Sequence, residues 1–533
     1  GTPEKRMGKA TIARVFGDYV PEDPYELQMF AKKVLADKDS GWTQVGMNPY
    51  RGSYFYDKAT GTPVTRADEV IQVGPLVLAK NVTKPKMSEL KKMFKLISSE
   101  PEKLKFMSYF HFSTALQMCA VIGTVAAPLT LYSVELGLNS DEIGILGSLM
   151  AFCQVLALIS IPVTIYFGSK LVSITALFSR YIFLLIFLLV PFYKDNLTIV
   201  FYLLFFSMLM FAICRSLSEA AFVPWMQEFI PRDVRGRIIG INGIICTPFA
   251  LAASYIIKIW LDSRVGLERF YPVFIFAILI GLISALLLIR MQGGKKIINR
   301  ENDQGYIKNL FTASKDKNFN LFLISSGTQY LVITVLAIFL TLFFKIRMNI
   351  PTGELVFSST LILVGGTCSG FIVGKITDNY GCRGIRVIFQ SLQIVLLLVL
   401  LFINSDTPYL SYVIGIIFFL FGFLMWGSAS IGYIFMLNYV PSNNKESFMS
   451  LAYSLDGLIA GVTTVLAGYL VLWLDTNNIV FLEITLGSYE VLFIICAFII
   501  LVSMNAFILI KEEGAMGVRT FLRQLIFSRR QLP

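Results

Sequence analysis

The sequence predicts an all-α membrane protein of twelve transmembrane helices, preceded by a small soluble α+β module. Three observations carry this. Of 533 residues, 55% are hydrophobic and only 15% charged, with a mean hydropathy of +0.68. Soluble domains carry about 25% charged residues, and a soluble surface this apolar would expose large sticky patches. Next, twelve apolar segments follow residue 105, each near the ~20 residues that cross a hydrocarbon core. Finally, bases concentrate in alternate loops between those segments, which is how orientation is encoded.

Residues 1–86 are polar, rich in Asp, Lys, Gly and Pro, and form the soluble module. Residues 24–37 have helical spacing, Ala59-Thr60-Gly61-Thr62 reads as a hairpin turn, and 70–78 as a short strand. The run Arg51-Gly52-Ser53-Tyr54-Phe55-Tyr56-Asp57-Lys58 is similar to accessory modules of phage-encoded polyvalent proteins, and no activity is carried over from it. Residues 87–105 are a basic amphipathic lead-in suited to a membrane surface. The expected spans are 106–131, 141–166, 171–192, 197–224, 238–260 and 270–290 in a first half, then 320–344, 356–375, 385–404, 408–433, 447–474 and 488–510 in a second. Residues 106–290 thus form the N-terminal half and 320–510 the C-terminal half. A basic central loop, 291–319, divides them, and 511–533 is a basic tail.

Loops after even-numbered spans hold Lys170, Arg232, Arg235, Arg237, the central cluster, Lys375, Arg383, Arg386 and Lys445. Loops after odd-numbered spans hold fewer bases. Both termini are therefore expected in the cytoplasm, in a membrane of the bacterial inner-membrane type. The net charge of +11 reads as topology, not as nucleic-acid binding. Seven cysteines and one histidine show no disulfide or metal-site spacing. No phosphate-cradling Gly-rich loop and no nucleophile–base constellation occur, so neither ATP-driven transport nor an enzyme is expected. No cofactor is expected either, and the chain is read as a monomer.

The halves echo each other. Trp225 through Arg235 after span four matches Phe435 through Lys445 after span ten in aromatic, Met, β-branched, Pro and basic positions. Tyr166-Phe167-Gly168-Ser169-Lys170 likewise matches Asn379-Tyr380-Gly381-Cys382-Arg383, at nearly the same offset of about 210 residues. Parallel six-helix repeats are a known transporter design. The loop Gly374-Lys375-Ile376-Thr377-Asp378-Asn379-Tyr380-Gly381-Cys382-Arg383 resembles the signature Gly-x-x-x-Asp-x-x-Gly-x-Arg of the major facilitator superfamily, and the likeness covers about residues 104–510. It implies the major facilitator fold, alternating access, and a gate in which Gly374, Asp378, Gly381 and Arg383 work against Arg235, Gly236 and Arg237. The first-half copy has no acid at the Asp position before Gly168. The alternative is that these residues only fix topology and loop shape.

Charges inside spans are expensive and mark cavities or partners. Arg215 and Glu219 share one face of span four, either as a structural pair or with Arg215 reading an anionic group. Asp456, in span eleven, is a candidate proton carrier alongside Glu219, since no base lies near it on its own helix. Arg180, in span three, reads as structural. Gln117 and Gln329, at similar depths in spans one and seven, and Tyr330 are candidate cavity residues. Gly366, Gly370 and Gly374, and Gly457 and Gly461, are small-residue stripes for close helix contacts, with spans five and eight and spans two and eleven expected to meet. The function these imply is secondary active transport of a small solute, coupled to a proton or another ion. Two alternatives stay open: a facilitator or exchanger of an anionic or amphiphilic substrate such as a lipid, and a non-transporting scaffold or receptor.

Overall fold

The structure is a computed structural model that describes short stretches between 42 and 80 and, in the helical part, residues 101–229, 235–291, 293–294, 316–439, 445–477 and 487–510. It falls into two compact units, 1–104 with 513–515 and 105–512 with 516–533. The first contains an antiparallel sheet of order β3-β2-β1-β5-β4, with β1 Trp42–Met47, β2 Phe55–Asp57, β3 Pro63–Val64, β4 Glu69–Val73 and β5 Leu76–Lys80. Phe55 pairs with Val64, consistent with the expected hairpin. The single strand expected over 70–78 is instead two, with Val73 opposite Leu76. Gly74-Pro75 lies between them, and a proline cannot donate to a ladder. All but one residue of the helix expected at 24–37, residues 87–100 of the lead-in, the basic residues of the central loop other than Lys317, and the tail lie outside the described residues.

The described residues of the second unit are helical apart from short turns. Among the described residues, eleven stretches are long and apolar enough to cross a membrane. The remaining expected span, the second, consists of helices Ser140–Phe152 and Ala157–Phe167, joined by a 3₁₀ turn over Cys153–Leu156. Its backbone stays right-handed through that turn, so all twelve segments are present in order. Span one is similarly composite, Pro101–Gly123 followed by Ala127–Leu136. Span three tightens into 3₁₀ geometry over Leu185–Tyr193, where Pro191 lacks the N–H that a helix needs.

The internal repeat reappears as duplicated polar contacts. Gly168 and Gly381, both at positive φ (90° and 81°), turn the chain into spans three and nine, and each donates its N–H to a threonine four residues back, Thr164 or Thr377. A side chain at such φ is strained, which explains glycine at both. Two residues further on, Lys170 donates to the carbonyl of Met291 and Arg383 to that of Ile510. Bases here satisfy orphan carbonyls at the ends of spans six and twelve. Deeper, Ser113 of span one donates to the Ser284 carbonyl of span six (2.9 Å), while Ser503 of span twelve donates to the Ser325 carbonyl of span seven (2.8 Å). Gln117 accepts from Arg180 of span three (3.3 Å), and Gln329 accepts from Gln390 of span nine (3.1 Å). Each half is thus internally bonded by the same scheme.

Spans two and eleven meet as expected. A Cβ on Gly457 would stand 2.6 Å from the Ala151 carbonyl, and one on Gly461 would stand 2.7 Å from the Phe152 ring. The span-eight stripe behaves differently. A Cβ on Gly366 would meet Trp426 of span ten, but Gly370 and Gly374 face open space. The tightest glycine contacts of span eight are with span ten, at Gly365 and Gly422. Spans five and eight meet through Thr247 and Thr367 (3.3 Å) and Tyr255 with Phe357.

Candidate functional site

Charged and polar side chains converge between the halves, at mid-membrane depth. Along helices rising about 1.5 Å per residue, Asp456 stands ~16 Å in from Lys445, Tyr330 ~20 Å in from Lys317 and Arg215 ~21 Å in from Phe229. All three are near the middle of a ~30 Å hydrocarbon core.

On the first-half wall, Arg215 Nε donates to Glu219 Oε1 at 2.7 Å, an i,i+4 pair on span four. Its Nη1 touches the Met150 sulfur at 3.6 Å, and Nη2 makes no hydrogen bond among the described residues. The side chains are 36% and 59% accessible, so the pair lines solvent-reachable space deep within the bundle. On the second-half wall, Tyr330 lies within electrostatic range of Arg215, Glu219 and Asp456. Its hydroxyl donates to Gln154 Oε1 at 2.9 Å, bonding span seven to the 3₁₀ turn of span two across the halves. Tyr433 and Tyr453, both exposed, stand in the same neighbourhood, with Tyr453 in range of Tyr330, Asp456 and Glu219.

Asp456 is 8% exposed. Its Oδ2 accepts from Ser326 at 2.5 Å, while Oδ1 has no hydrogen-bond partner among the described residues. A buried carboxylate oxygen without a donor is costly. A base does stand near it, from span nine. Arg386 was expected in a cytoplasmic loop; here it is one of the largest fully buried side chains and lies in electrostatic range of Asp456. Its Nη2 donates to the carbonyl and hydroxyl of Ser325 (3.2 and 3.0 Å), its guanidinium stacks on Phe507 at 4.3 Å, and its Nε has no partner among the described residues. Ser325 and Ser326 thus stand between a cation and a carboxylate. A Cβ on Gly432 would come 2.3 Å from Arg386 Nη1, so span ten has room for this arginine only at a glycine.

Gln117 and Gln329 do not join this chamber group. Gln117 belongs to the Arg180 network of the first half, where Arg180 also bonds the Tyr181 hydroxyl at 2.8 Å. Gln329 is buried and accepts from Gln390 and Ser428 within the second half. Of the gate residues, Arg383 caps span twelve, Gly374 faces open space and Gly381 makes the turn into span nine. Arg235, Gly236 and Arg237 begin span five and Asp378 ends span eight, but their side chains fall outside the described residues.

Among the described residues, the polar contacts that join the halves gather at mid-membrane and at one end of the bundle. At the end carrying the odd-numbered loops, the halves are latched. Glu135 of the first half pairs with Arg269 of its own half, accepts from Thr352 of the second half (2.7 Å) and lies 3.7 Å from Lys345. Beside it, the Gly353 N–H donates to Asp262 at 2.8 Å. Toward the other end, Gly243 of span five, like Gly370 and Gly374 of span eight, has nothing within reach of an added Cβ.

Two six-helix halves with charged and polar side chains meeting between them, bonded together at one end, have the architecture of a membrane transporter. The chain belongs to the Major Facilitator Superfamily, whose family model matches residues 107–464. No curated protein matches it. Among solved structures it resembles a mutant of the nucleoside transporter NupG (14% identity, TM-score 0.63, covering 76% of this chain and 100% of that one). It also resembles a D-xylose-proton symporter (12%, 0.58, 77% and 98%). A third likeness is to a bacterial homologue of the iron transporter ferroportin, at 13% and 0.57 in its inward-facing state (76% and 98%) and at 14% and 0.51 in its outward-facing state (76% and 98%).

Proposed function

We propose that this chain is a secondary active transporter of a small solute, working by alternating access and coupled to protons through Asp456. The observation that carries the reading is a buried carboxylate beside the chamber, held by one serine hydroxyl with its second oxygen unpartnered among the described residues. The charge such a group carries depends on its solvation and on nearby cations. Rocking of the halves alters both conditions. On the positive-inside reading, the closed end is extracytoplasmic and the chamber faces the cytoplasm. The higher score against the inward-facing than the outward-facing ferroportin homologue supports the same state.

The test is flux in proteoliposomes under an imposed pH gradient. Accumulation should follow the gradient. Asp456→Asn should abolish accumulation and leave solute exchange at zero gradient. Gradient-indifferent flux in the unaltered protein, or full accumulation by Asp456→Asn, would overturn the coupling.

A further inference from the structure

We propose that the chamber binds a zwitterion, with its anionic group on Arg215 of the first half and its cationic group on Asp456 of the second. This rests on the transporter reading above and specifies the substrate class.

The chamber offers both signs of charge on opposite walls. Arg215 is committed to Glu219 through Nε only. Its Nη2 is free among the described residues and its Nη1 touches only a thioether, which leaves the terminal guanidinium edge for a carboxylate or similar planar anion. Glu219 keeps Arg215 oriented and, being highly accessible, adds a second negative group beside the cation's path. Across the chamber, Asp456 Oδ1 is buried and lacks a donor among the described residues. The oxygen is closed off in this state, and an ammonium supplies the missing N–H once movement of the halves exposes it. The walls between these poles carry Tyr330, Tyr433 and Tyr453, whose ring faces accept an ammonium and whose breadth accepts an apolar body.

The charge inventory argues against a simple ion of either sign. A lone anion would sit beside Glu219 with Asp456 opposite. A lone cation would leave the free edge of Arg215 unused and would face Arg386 behind Asp456. A zwitterion answers both poles. Because the poles belong to different halves, its binding draws the halves together, which is how substrate occupancy would drive occlusion.

The experiment measures binding to the purified full chain in detergent, by intrinsic Trp fluorescence and thermal shift, so it needs no gradient. The probes are L-phenylalanine, phenethylamine and 3-phenylpropionate, which share one body, together with glycylphenylalanine to extend the charge separation. At least one zwitterion should bind tenfold or more tighter than either single-charge analogue, since each analogue leaves one charged pole without its partner. Arg215→Gln should erase the advantage over the amine, and Asp456→Asn the advantage over the carboxylate. An amine as tight as the zwitterions makes this a cation site, and a carboxylate as tight makes it an anion site; either overturns the proposal, as does no binding by any probe at 10-fold the concentration that saturates nonspecific quenching. If binding follows the prediction but flux ignores a pH gradient, the coupling fails and the zwitterion site stands.

Discussion

Neutralising Glu135 should unlatch the closed end of the bundle. Its carboxylate faces Arg269, Lys345 and Thr352, joining the first half to the second. Glu135→Gln keeps the shape and removes the charge, leaving Arg269 and Lys345 as like charges around a neutral amide. The three charged side chains are only 12–18% exposed. A fully buried pair broken on one side costs about 3–5 kcal/mol, whereas an exposed one is worth about 0–1. At this partial burial, about 2 kcal/mol is the reasonable magnitude, or roughly 30-fold in the equilibrium between closed and open at that end. Spin labels at Val265 and Tyr409, both highly exposed on odd-numbered loops of opposite halves, would read it by pulsed distance measurement in a background without the native cysteines. The substitution should move a large fraction of the distribution to longer distances. Glu354→Gln is the control, because its pairing with Lys258, at 4.0 Å, is at the limit of an ion pair. An unchanged distribution in Glu135→Gln, with the melting temperature preserved, would refute the latch.

Alanine at Gly381 or Gly168 should lower the melting temperature by an amount corresponding to about 1–2 kcal/mol, because both sit at positive φ, while Gly370→Ala, with open space around it, should leave stability nearly unchanged or improve it. Tyr330→Phe removes the mid-membrane bond to Gln154 and should raise the rate of solute exchange if that bond restrains rocking, at a stability cost of about 1 kcal/mol. Arg386→Met and Asp456→Asn should each lower the melting temperature, and their combination should recover part of the loss. Strict additivity would show that the two charges do not act as a pair.

The span pattern was legible because each helix must carry some twenty apolar residues, and a charge among them stands out. That is why Arg215, Glu219 and Asp456 could be singled out one helix at a time. Arg386 could not. Only four residues into its helix, it has the sequence context of a loop base. Its burial is created by Ser325, Phe507 and Gly432, which come from three other helices. The weak signal available was Gly432, a glycine in an apolar helix with no turn to make. Gln117 and Gln329 were legible as repeat-related, yet depth along a helix does not say which way a side chain faces. Both point into their own halves. The latch was illegible for a further reason: Glu135, Arg269 and Lys345 come from three helices far apart in sequence and share no spacing.

The distribution of polar contacts bears on how such a bundle moves. Within each half, buried serines, glutamines and arginines repeat one bonding scheme, and breaking it would strand buried donors at about 1–3 kcal/mol apiece. Between halves, the described hydrogen bonds are few, and they lie at mid-membrane or at the odd-loop end: Tyr330 to Gln154, Thr247 with Thr367, Thr352 to Glu135, Arg269 to Thr352, and Gly353 to Asp262. Those to carboxylates are worth about 1.5–3 kcal/mol and the others about 1, and the contacts around Glu135 and Asp262 are near groups that water can reach once that end opens. The polar scheme within each half is therefore costlier to break than the described polar bonds between the halves, which favours rigid-body rocking over rearrangement inside a half. On the proposed cycle, the opposite state must form comparable contacts at the even-loop end to balance those lost. Asp378 and the Arg235–Arg237 segment lie at that end, on the two helices whose facing glycines now meet open space, which is where compensating contacts would form.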